Sequence, residues 1–407
     1  MPPTIQALLA ARLDRLTTGE RAVELLPREA PARLEASLDL SYAFAEVGRL
    51  KRAVRLLDET IEIAAAVGDS GLEARAQLRR CRLRTNTDPE GSSDASREAA
   101  ERAIPLFERT GNELGLAEAY QLLAYVEVRG HQIAAAERLL DRALVYAQRI
   151  GNKPKEDGIL SGIASATLWG PMRVDDGIRR CDEILERIKG NLVEEASCLM
   201  KLAALHAMRA DFDRARTLVA KGRRMLEELG LGYALSRHSQ IVGLVELVAG
   251  EPAAAEQALR AGYEDLQRTG DRHFVGTVAA LLAHALERLD RLDEAEEFAE
   301  ISAGAAATDD FVSQLLWRSA RAKALAHRGE YEAAESLARH AATIAAGTDD
   351  LRSHGDALMD LVQVLMIADR RSDAAPYAEQ ALELYERKGV VPAAARARAL
   401  VVELVPA

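Results

Sequence analysis

A unit of about 40 residues recurs along nearly the whole chain, and its clearest copy runs from Gly329 to Ala341. In this copy Ala334 and Ala341 stand seven residues apart, so on a helix they lie on one face, two turns from each other. Gly329 suits the left-handed conformation that ends a helix, and Tyr331 is expected to pack where the next helix begins. The unit therefore predicts a helical hairpin that must bury its apolar face against copies of itself.

Two independent markers repeat with this period. The first small-residue position holds, copy by copy, Ala53, Ser96, Ala136, Gly177, Ala215, Ala255, Ala295, Ala334 and Ala374. The position seven residues later holds Thr60, Ala103, Ala143, Ile184, Gly222, Gly262, Ser302, Ala341 and Ala381. A turn marker follows the second helix of each copy, at Gly68-Asp69, Gly111-Asn112, Gly151-Asn152, Gly190-Asn191, Gly230, Gly270-Asp271, Thr308-Asp309, Thr348-Asp349 and Lys388-Gly389. Together these markers predict an all-α solenoid of about nine hairpins.

The composition fits helices in close contact, because 48% of the residues are hydrophobic but only 4% are aromatic. The net charge of −11 argues against a nucleic-acid partner, since phosphate binding needs a concentrated positive face. Cys81, Cys181 and Cys198 lack the spacing of a metal or redox motif, which favours buried free thiols in a reducing cytosol. No signal peptide is visible, and the most apolar stretch, residues 358–368, is too short and too polar to cross a bilayer. A cytoplasmic protein is therefore predicted.

The chain is expected to have two parts, a helical attachment over residues 1–30 and the repeat array over residues 31–407. In the attachment, residues 4–16 follow the helical period, and a short helix is expected over residues 20–26. In the array, residues 85–93 predict a long irregular turn, and Pro105 is expected to kink its helix or shift the helix start. Residues 392–404 predict a final helix that caps the exposed end of the stack.

The turn pattern Gly/Asp-x-aromatic-x-x-Ala, with a second alanine seven residues on, resembles the tetratricopeptide repeat. The units here have about 40 residues rather than the 34 of that repeat. The resemblance implies a right-handed superhelix whose concave face is lined by the first helix of each unit.

A second resemblance concerns the ends of the chain. Residues 2–16, followed by Glu20-Arg21-Ala22-Val23, are similar to the segment after the nucleotide-binding module of STAND-type signal-transduction ATPases. The stretches 168–171, 249–256 and 384–389 are similar to the C-terminal repeat arm of those proteins, which often carry an adenylate/guanylate cyclase or a helix-turn-helix output domain. The chain has no phosphate loop of the type Gly-x-x-x-x-Gly-Lys-Ser/Thr, so ATPase activity is not carried over. The resemblance implies a sensor arm without its ATPase module.

No catalytic constellation stands out, so neither an enzyme nor a cofactor or metal is predicted. His273 and His284 share a helix face, but they are eleven residues apart, whereas metal-binding pairs on a helix usually stand four apart. The basic run over residues 79–84 fits either a contact for a phosphate or acidic partner or a solvated helix face. Trp169 fits either a binding anchor or a filler in the irregular fourth unit.

Alignment on the tetratricopeptide repeat places thirteen side chains on the concave face, where mixed polar groups with one or two aromatic rings suit a peptide or polar ligand. They are Glu118, Gln121, Tyr125, Arg129, Trp169, Arg237, Gln240, His284, Glu287, Arg288, Lys323, His327 and Gln363.

Two functions remain open. The first is a non-enzymatic interaction scaffold or sensor arm in bacterial signal transduction or transcriptional regulation, which binds a protein or peptide in an extended groove without an enclosed pocket. The alternative is a small-molecule-sensing repeat domain that regulates a partner ATPase or cyclase. It predicts a closed cavity near Trp169 and Tyr125.

Overall fold

The computed structural model describes residues 18–404, and this part of the chain consists of α-helices joined by short turns, with no β-strand. Residues 18–25 are helical. The two helices of each successive unit are α1 (Pro31–Glu46) and α2 (Leu50–Val67), α3 (Ser70–Thr87) and α4 (Ser92–Thr110), α5 (Glu113–Arg129) and α6 (Ile133–Arg149), α7 (Lys153–Trp169) and α8 (Val174–Arg187), α9 (Leu192–Met208) and α10 (Phe212–Glu228), α11 (Gly232–Ala249) and α12 (Pro252–Thr269), α13 (Arg272–Arg288) and α14 (Leu292–Ala305), α15 (Phe311–His327) and α16 (Tyr331–Ala346), and α17 (Leu351–Ile367) and α18 (Arg371–Lys388). A last helix, α19, spans Val391–Leu404. The predicted all-α solenoid is confirmed.

The small-residue positions of the repeat are points of contact between helices. All of them are buried, from Ala53 and Thr60 in the first unit to Ala374 and Ala381 in the ninth. At Gly262 a β-carbon would lie only 2.1 Å from the Ser239 side-chain oxygen, so α11 and α12 approach too closely there for any side chain. The size restriction read from the sequence therefore comes from direct helix packing.

Aspartate and asparagine side chains fix the start of most first helices. Asn112 accepts a hydrogen bond from the Gly115 N–H at 2.8 Å, and the same cap recurs at the starts of α3, α7, α9, α13, α15 and α17. In the last two units the turn reads Thr-Asp-Asp, and the second aspartate, Asp310 or Asp350, takes the cap. The first aspartate of each pair, Asp309 or Asp349, is thereby left available for another contact.

Side-chain hydrogen bonds join successive turns of the superhelix. Asp349 accepts hydrogen bonds from the backbone N–H groups of Ile133 (2.9 Å) and Ala134 (2.7 Å) at the start of α6, more than 200 residues earlier. Between α3 and α13, Asn86 donates to Asp271 at 2.7 Å. Since these partners are about five units apart, the array completes a turn and closes on itself.

The C-terminal end of the array closes in the same way. The buried Lys388 ammonium donates to the carbonyl oxygens of Thr167 and Gly170 at the end of α7, in unit four. The final helix α19 contacts α9 and α11, and its Ala393 and Leu400 face the interior. This helix therefore lies against inner helices of the array in addition to packing on α18.

Several local expectations need correction. The turn expected over residues 85–93 comprises only residues 88–91, because Asn86 is held inside α3 by its bonds to the next superhelical turn. Pro105 lies within α4, which continues to Thr110. The Tyr331 side chain is 45% exposed, and Ala334 begins the buried face of α16 instead. The helix expected over residues 4–16 lies outside the described residues. Within residues 18–404, no helix is both long and apolar enough to cross a membrane.

Candidate functional site in the interior cavity

The array surrounds a large interior cavity of about 2420 Å³ that is partly open to solvent. It is lined mainly by first helices, as the resemblance implied. Eleven of the thirteen expected side chains line it, namely Glu118, Gln121, Tyr125, Arg129, Trp169, Arg237, Gln240, His284, Arg288, Lys323 and Gln363. Glu287 and His327 do not, although Glu287 supports the wall by accepting a hydrogen bond from Gln363 at 2.8 Å. The binding role of these residues stays a prediction.

One end of the cavity is organised by a buried lysine. The Lys323 ammonium lies 2.9 Å from Glu287 and 3.1 Å from Asp360. Burial favours neutral lysine, but the two carboxylates outweigh burial and raise the pKa of Lys323. Burial and the lysine charge together lower the pKa of His284 to about 4, so the imidazole is neutral. Its Nε2–H donates to the Leu316 carbonyl at 3.1 Å, and its Nδ1 accepts from Lys323 at 3.2 Å.

The other end carries a buried carboxylate among cations. Glu118 lies 3.2 Å from Arg75, 2.8 Å from Arg79 and 3.7 Å from Lys155. Burial opposes ionisation of Glu118, but the Arg79, Lys155 and Arg75 charges outweigh it and lower the pKa of Glu118 to about 2. This carboxylate links first helices of units two, three and four, and it is charged at neutral pH.

Between these ends lies a group that we call the arginine–tyrosine cluster, formed by Arg82, Tyr125, Arg237 and Phe274. The Arg82 guanidinium carbon stands 3.5 Å from the centre of the Tyr125 ring. That of Arg237 stands 4.6 Å from the centre of the Phe274 ring and 5.5 Å from that of Tyr233. The Tyr125 hydroxyl and the Arg237 Nε–H are both buried without a hydrogen-bond partner. Buried polar atoms of this kind are costly unless a partner arrives.

Two ion pairs border the cluster. Arg129 contacts Asp309 at 3.1 Å across the turns of the superhelix, and His273 contacts Asp310 at 2.7 Å. Burial lowers the basicity of His273, but Asp310 outweighs burial and raises the pKa of the imidazole. Both cations are therefore already matched by a carboxylate, whereas Arg82 and Arg237 form no ion pair with any residue from 18 to 404.

A fourth polar group lies on α7, α9 and α11. Ser197 lies 3.3 Å from His238 Nε2, and Lys201 contacts both Ser197 and Ser161. A serine beside a histidine is the arrangement nearest to nucleophilic catalysis in this cavity. Burial and the Lys201 and Arg237 charges, however, lower the pKa of His238 to about 3, so the imidazole is a weak base. We therefore interpret these side chains as part of a binding surface and not as a catalytic pair.

The basic run over residues 79–84 divides between two helix faces. Arg79 and Arg82, three residues apart, line the cavity, whereas Arg80 and Arg84 pair with Asp58 and Asp88 on the other side of α3. Arg80 and Arg84 therefore fit the interpretation of a solvated helix face, whereas a contact of Arg79 or Arg82 with an acidic partner stays a prediction. The three-residue spacing of Arg79 and Arg82 could have indicated that both side chains face the same way, because residues i and i+3 lie on one face of a helix.

His273 and His284 share a face, as expected, and both line the cavity. Lys201 and His238, which also line it, carried no signal in sequence, because a single lysine or histidine on a helix is ordinarily a surface residue.

No protein-family model matches the chain, and no curated protein sequence matches it. The solved structures that share its fold include the following two. A Rap protein complexed with Competence and Sporulation Factor superposes with a TM-score of 0.56 at 13% identity, covering 93% of this chain and 98% of that one. Aspartyl phosphate phosphatase F from Bacillus subtilis superposes with a TM-score of 0.51 at 12% identity, covering 87% and 94%.

A Signal Transduction ATPase with Numerous Domains protein with a tetratricopeptide repeat sensor, from Pyrococcus horikoshii, is also similar. It aligns at 13% identity with a TM-score of 0.46, covering 92% of this chain and 64% of that one. The shared fold is a tetratricopeptide-like array, and the last score is too low to support the STAND origin, which stays a prediction.

Proposed function

We propose that this array is a scaffold that receives a peptide segment of a partner protein inside its superhelix. The observation that carries the proposal is the interior cavity of about 2420 Å³. Sites for small molecules usually measure about 300–1,000 Å³, so this cavity has room for a longer, extended ligand. Its lining of charged, amide and aromatic side chains on first helices suits a peptide, whose backbone and side chains offer both polar and apolar contacts.

The similarly folded Rap protein was solved in complex with Competence and Sporulation Factor. This complex supports the proposal, because it shows that an array with this fold can bind another molecule. The resemblance to STAND repeat arms is our basis for proposing that binding serves bacterial signal transduction or transcriptional regulation. On this proposal the chain acts as a cytoplasmic sensor arm that works with a separate output protein.

Retention of peptides on the immobilised protein tests the proposal. An equimolar library of acetylated pentapeptides is passed over the protein, and a blocked variant, Gly158→Trp, serves for comparison. A β-carbon at Gly158 meets only the Glu194 side chain, at 3.7 Å, and the residue lines the cavity, so the indole would project into the cavity and narrow it there. Gly304→Trp is the matched control, because a β-carbon there meets nothing within 4 Å and the position is outside the cavity.

We expect the parent and Gly304→Trp to retain peptides and Gly158→Trp to lose most of that retention. Equal retention by all three proteins, or none by the parent, would rule out the interior as a peptide site.

A second function has one observation in its favour. Trp169 and Tyr125, the two aromatic residues expected near a small-molecule pocket, both line this cavity. A metabolite that binds only the folded protein raises its melting temperature. A thermal-shift screen of sugars, nucleotides and metabolites therefore distinguishes the two: a shift that Gly158→Trp abolishes favours the sensor, and no shift from any compound favours the peptide scaffold.

A further inference from the structure

We propose that the arginine–tyrosine cluster binds one carboxylate of an acidic peptide, an inference that rests on the proposed function. The carboxylate is either an acidic side chain or the C-terminal group, because the two offer the same pair of oxygens to the site.

The first argument is the state of Arg237. Its guanidinium stacks near the Phe274 and Tyr233 rings, yet it makes no hydrogen bond and no ion pair with any residue between 18 and 404. Glu46 and Asp271 are acidic groups that act on Arg237 through space, but neither comes within ion-pair distance. Asp271 is instead engaged by Asn86 (2.7 Å) and Tyr233 (2.5 Å). A guanidinium fixed by aromatic rings with all its N–H groups unused is suited to a carboxylate, which it binds through two parallel hydrogen bonds.

The second argument is the Tyr125 hydroxyl, which is buried in the same cluster without a hydrogen bond of normal geometry, although the nearby Thr85 hydroxyl also helps to lower its pKa. Burial opposes its ionisation, but Arg82, His273 and Arg129 outweigh burial and lower the pKa of Tyr125 to about 7. A tyrosine that ionises so easily reports a positive potential. The cluster therefore favours a negatively charged ligand, and the neutral hydroxyl can donate to it.

The third argument concerns the charge of the ligand, which we expect to be a single negative charge. Asp309 and Asp310 already neutralise Arg129 and His273, and Glu46 and Asp271 partly offset Arg237. The remaining excess is small, so a monoanion fits better than a phosphate dianion, which would bring the cluster into repulsion with these four carboxylates. The flanking rings favour the planar carboxylate of a peptide over a tetrahedral oxyanion.

The test compares four acetylated pentapeptide libraries of otherwise neutral residues. They carry a C-terminal amide, a C-terminal acid, an internal glutamate with a C-terminal amide, or an internal phosphoserine with a C-terminal amide. Each is passed over the parent protein, Arg237→Gln and the control Arg102→Gln. Arg102 is exposed on α4 and contacts only Glu98 among the described residues.

We expect the parent and Arg102→Gln to retain at least one of the two carboxylate libraries about tenfold more than the neutral amide library, and more than the phosphoserine library. The acid and glutamate libraries distinguish the two sources of the carboxylate. Arg237→Gln should retain the neutral library as the parent does and lose the preference. Circular dichroism melting shows whether this variant is folded. As a second readout, a retained acidic peptide should raise the pKa of Tyr125, followed by absorbance at 295 nm with Tyr125→Phe subtracted.

Equal retention of neutral and carboxylate libraries by the parent overturns the carboxylate site and leaves the peptide scaffold standing. A preference that survives in Arg237→Gln, stronger retention of phosphoserine, or an unchanged Tyr125 pKa in the presence of a retained acidic peptide overturns it as well. Failure to retain any library overturns both proposals.

Discussion

The imidazole of His131 and the carboxylate of Asp350 lie 3.1 Å apart, although 219 residues separate them in the chain. Both are buried, and the same carboxylate accepts from the Ser353 N–H at 2.9 Å to cap α17. The preceding residue, Asp349, accepts from the first two N–H groups of α6. Two adjacent aspartates therefore order the last unit and attach it to the third.

Asp349→Ala tests whether this attachment holds the superhelix closed. The start of α6 would lose both side-chain acceptors, and loss of such a cap typically costs about 1 kcal/mol. We expect the radius of gyration from small-angle X-ray scattering to increase while far-UV circular dichroism is unchanged, because the hairpins themselves remain intact.

Asp293→Ala is the control, since Asp293 is an exposed carboxylate that pairs with Arg328 in the neighbouring unit. Scattering curves that coincide for the parent, Asp349→Ala and the control would show that closure does not depend on this contact.

The depressed pKa of Glu118 predicts that part of the protein's stability is lost in acid. Its pKa in the folded protein, about 2, is below the ordinary 4.5. A carboxylate with a depressed pKa stabilises the folded state at pH values above its unfolded pKa, and this contribution is lost as the pH falls towards the folded value. The shift corresponds to a contribution on the order of 3 kcal/mol.

We expect Glu118→Gln to lower the unfolding free energy from urea titrations at pH 7, and the difference from the parent to shrink between pH 4.5 and 2. Glu183, an exposed residue of α8, provides the control, since Glu183→Gln should shift the curve little at any pH. A Glu118→Gln deficit that is constant across pH would mean that the charge of Glu118 is not what stabilises the fold.

Much of the fold could be predicted from the sequence, because hairpin packing is a local and repeated requirement. Ala334 and its equivalents contact the neighbouring helix in every unit, so the restriction on size appears at a constant period. The left-handed glycine at Gly329, with φ of 84°, follows from the same local geometry.

The closure of the superhelix could not be predicted in this way. It depends on the small rotation between successive units, accumulated over about five of them, and no single unit encodes that sum. One sequence feature is related to the closure, namely the second aspartate after Thr308 and after Thr348. Only coordinates show that this extra residue takes the cap and leaves Asp309 and Asp349 to reach the earlier turn.

The same limit applies to the site. Tyr125 and Arg237 could be placed on the inner face by helix periodicity within their own units. Their membership in one cluster could not, because they belong to units three and six and approach each other only in the closed array.

The cysteines offer a probe of cooperative unfolding. Cys181 and Cys198 are fully buried and unpaired, whereas Cys81 is half-buried. Burial also raises the pKa of the Cys81 thiol, which slows its reaction because the thiolate is the nucleophile. We expect a chromogenic disulfide reagent to modify one thiol slowly in the native protein and three in urea. Cys81→Ser should abolish the native reaction, and a persistent native signal in that variant would indicate opening of units four and five.

The contact between Gly262 and Ser239 tests the packing rule on which the repeat depends. In Gly262→Ala the new methyl group would meet the Ser239 side chain at 2.1–2.3 Å and the Ser236 carbonyl at 3.3 Å. Alanine favours a helix over glycine by up to about 1 kcal/mol, so this gain opposes the steric cost. Overpacking of a tight contact typically costs about 1–3 kcal/mol, and we expect a net loss in the free energy of unfolding measured with urea.

Gly304→Ala is the matched control, because Gly304 lies in α14 with open space around the added β-carbon, so this variant should be neutral or slightly more stable. Combining Gly262→Ala with Ser239→Gly adds a methyl group to α12 and removes the facing hydroxymethyl group from α11. If steric conflict is the cause, the double variant should lose less stability than the sum of the two single variants. Strict additivity, or a Gly262→Ala protein as stable as Gly304→Ala, would contradict this expectation. It would mean that α11 and α12 can separate at this point at little cost. The small-residue positions would then not set the spacing of the hairpins.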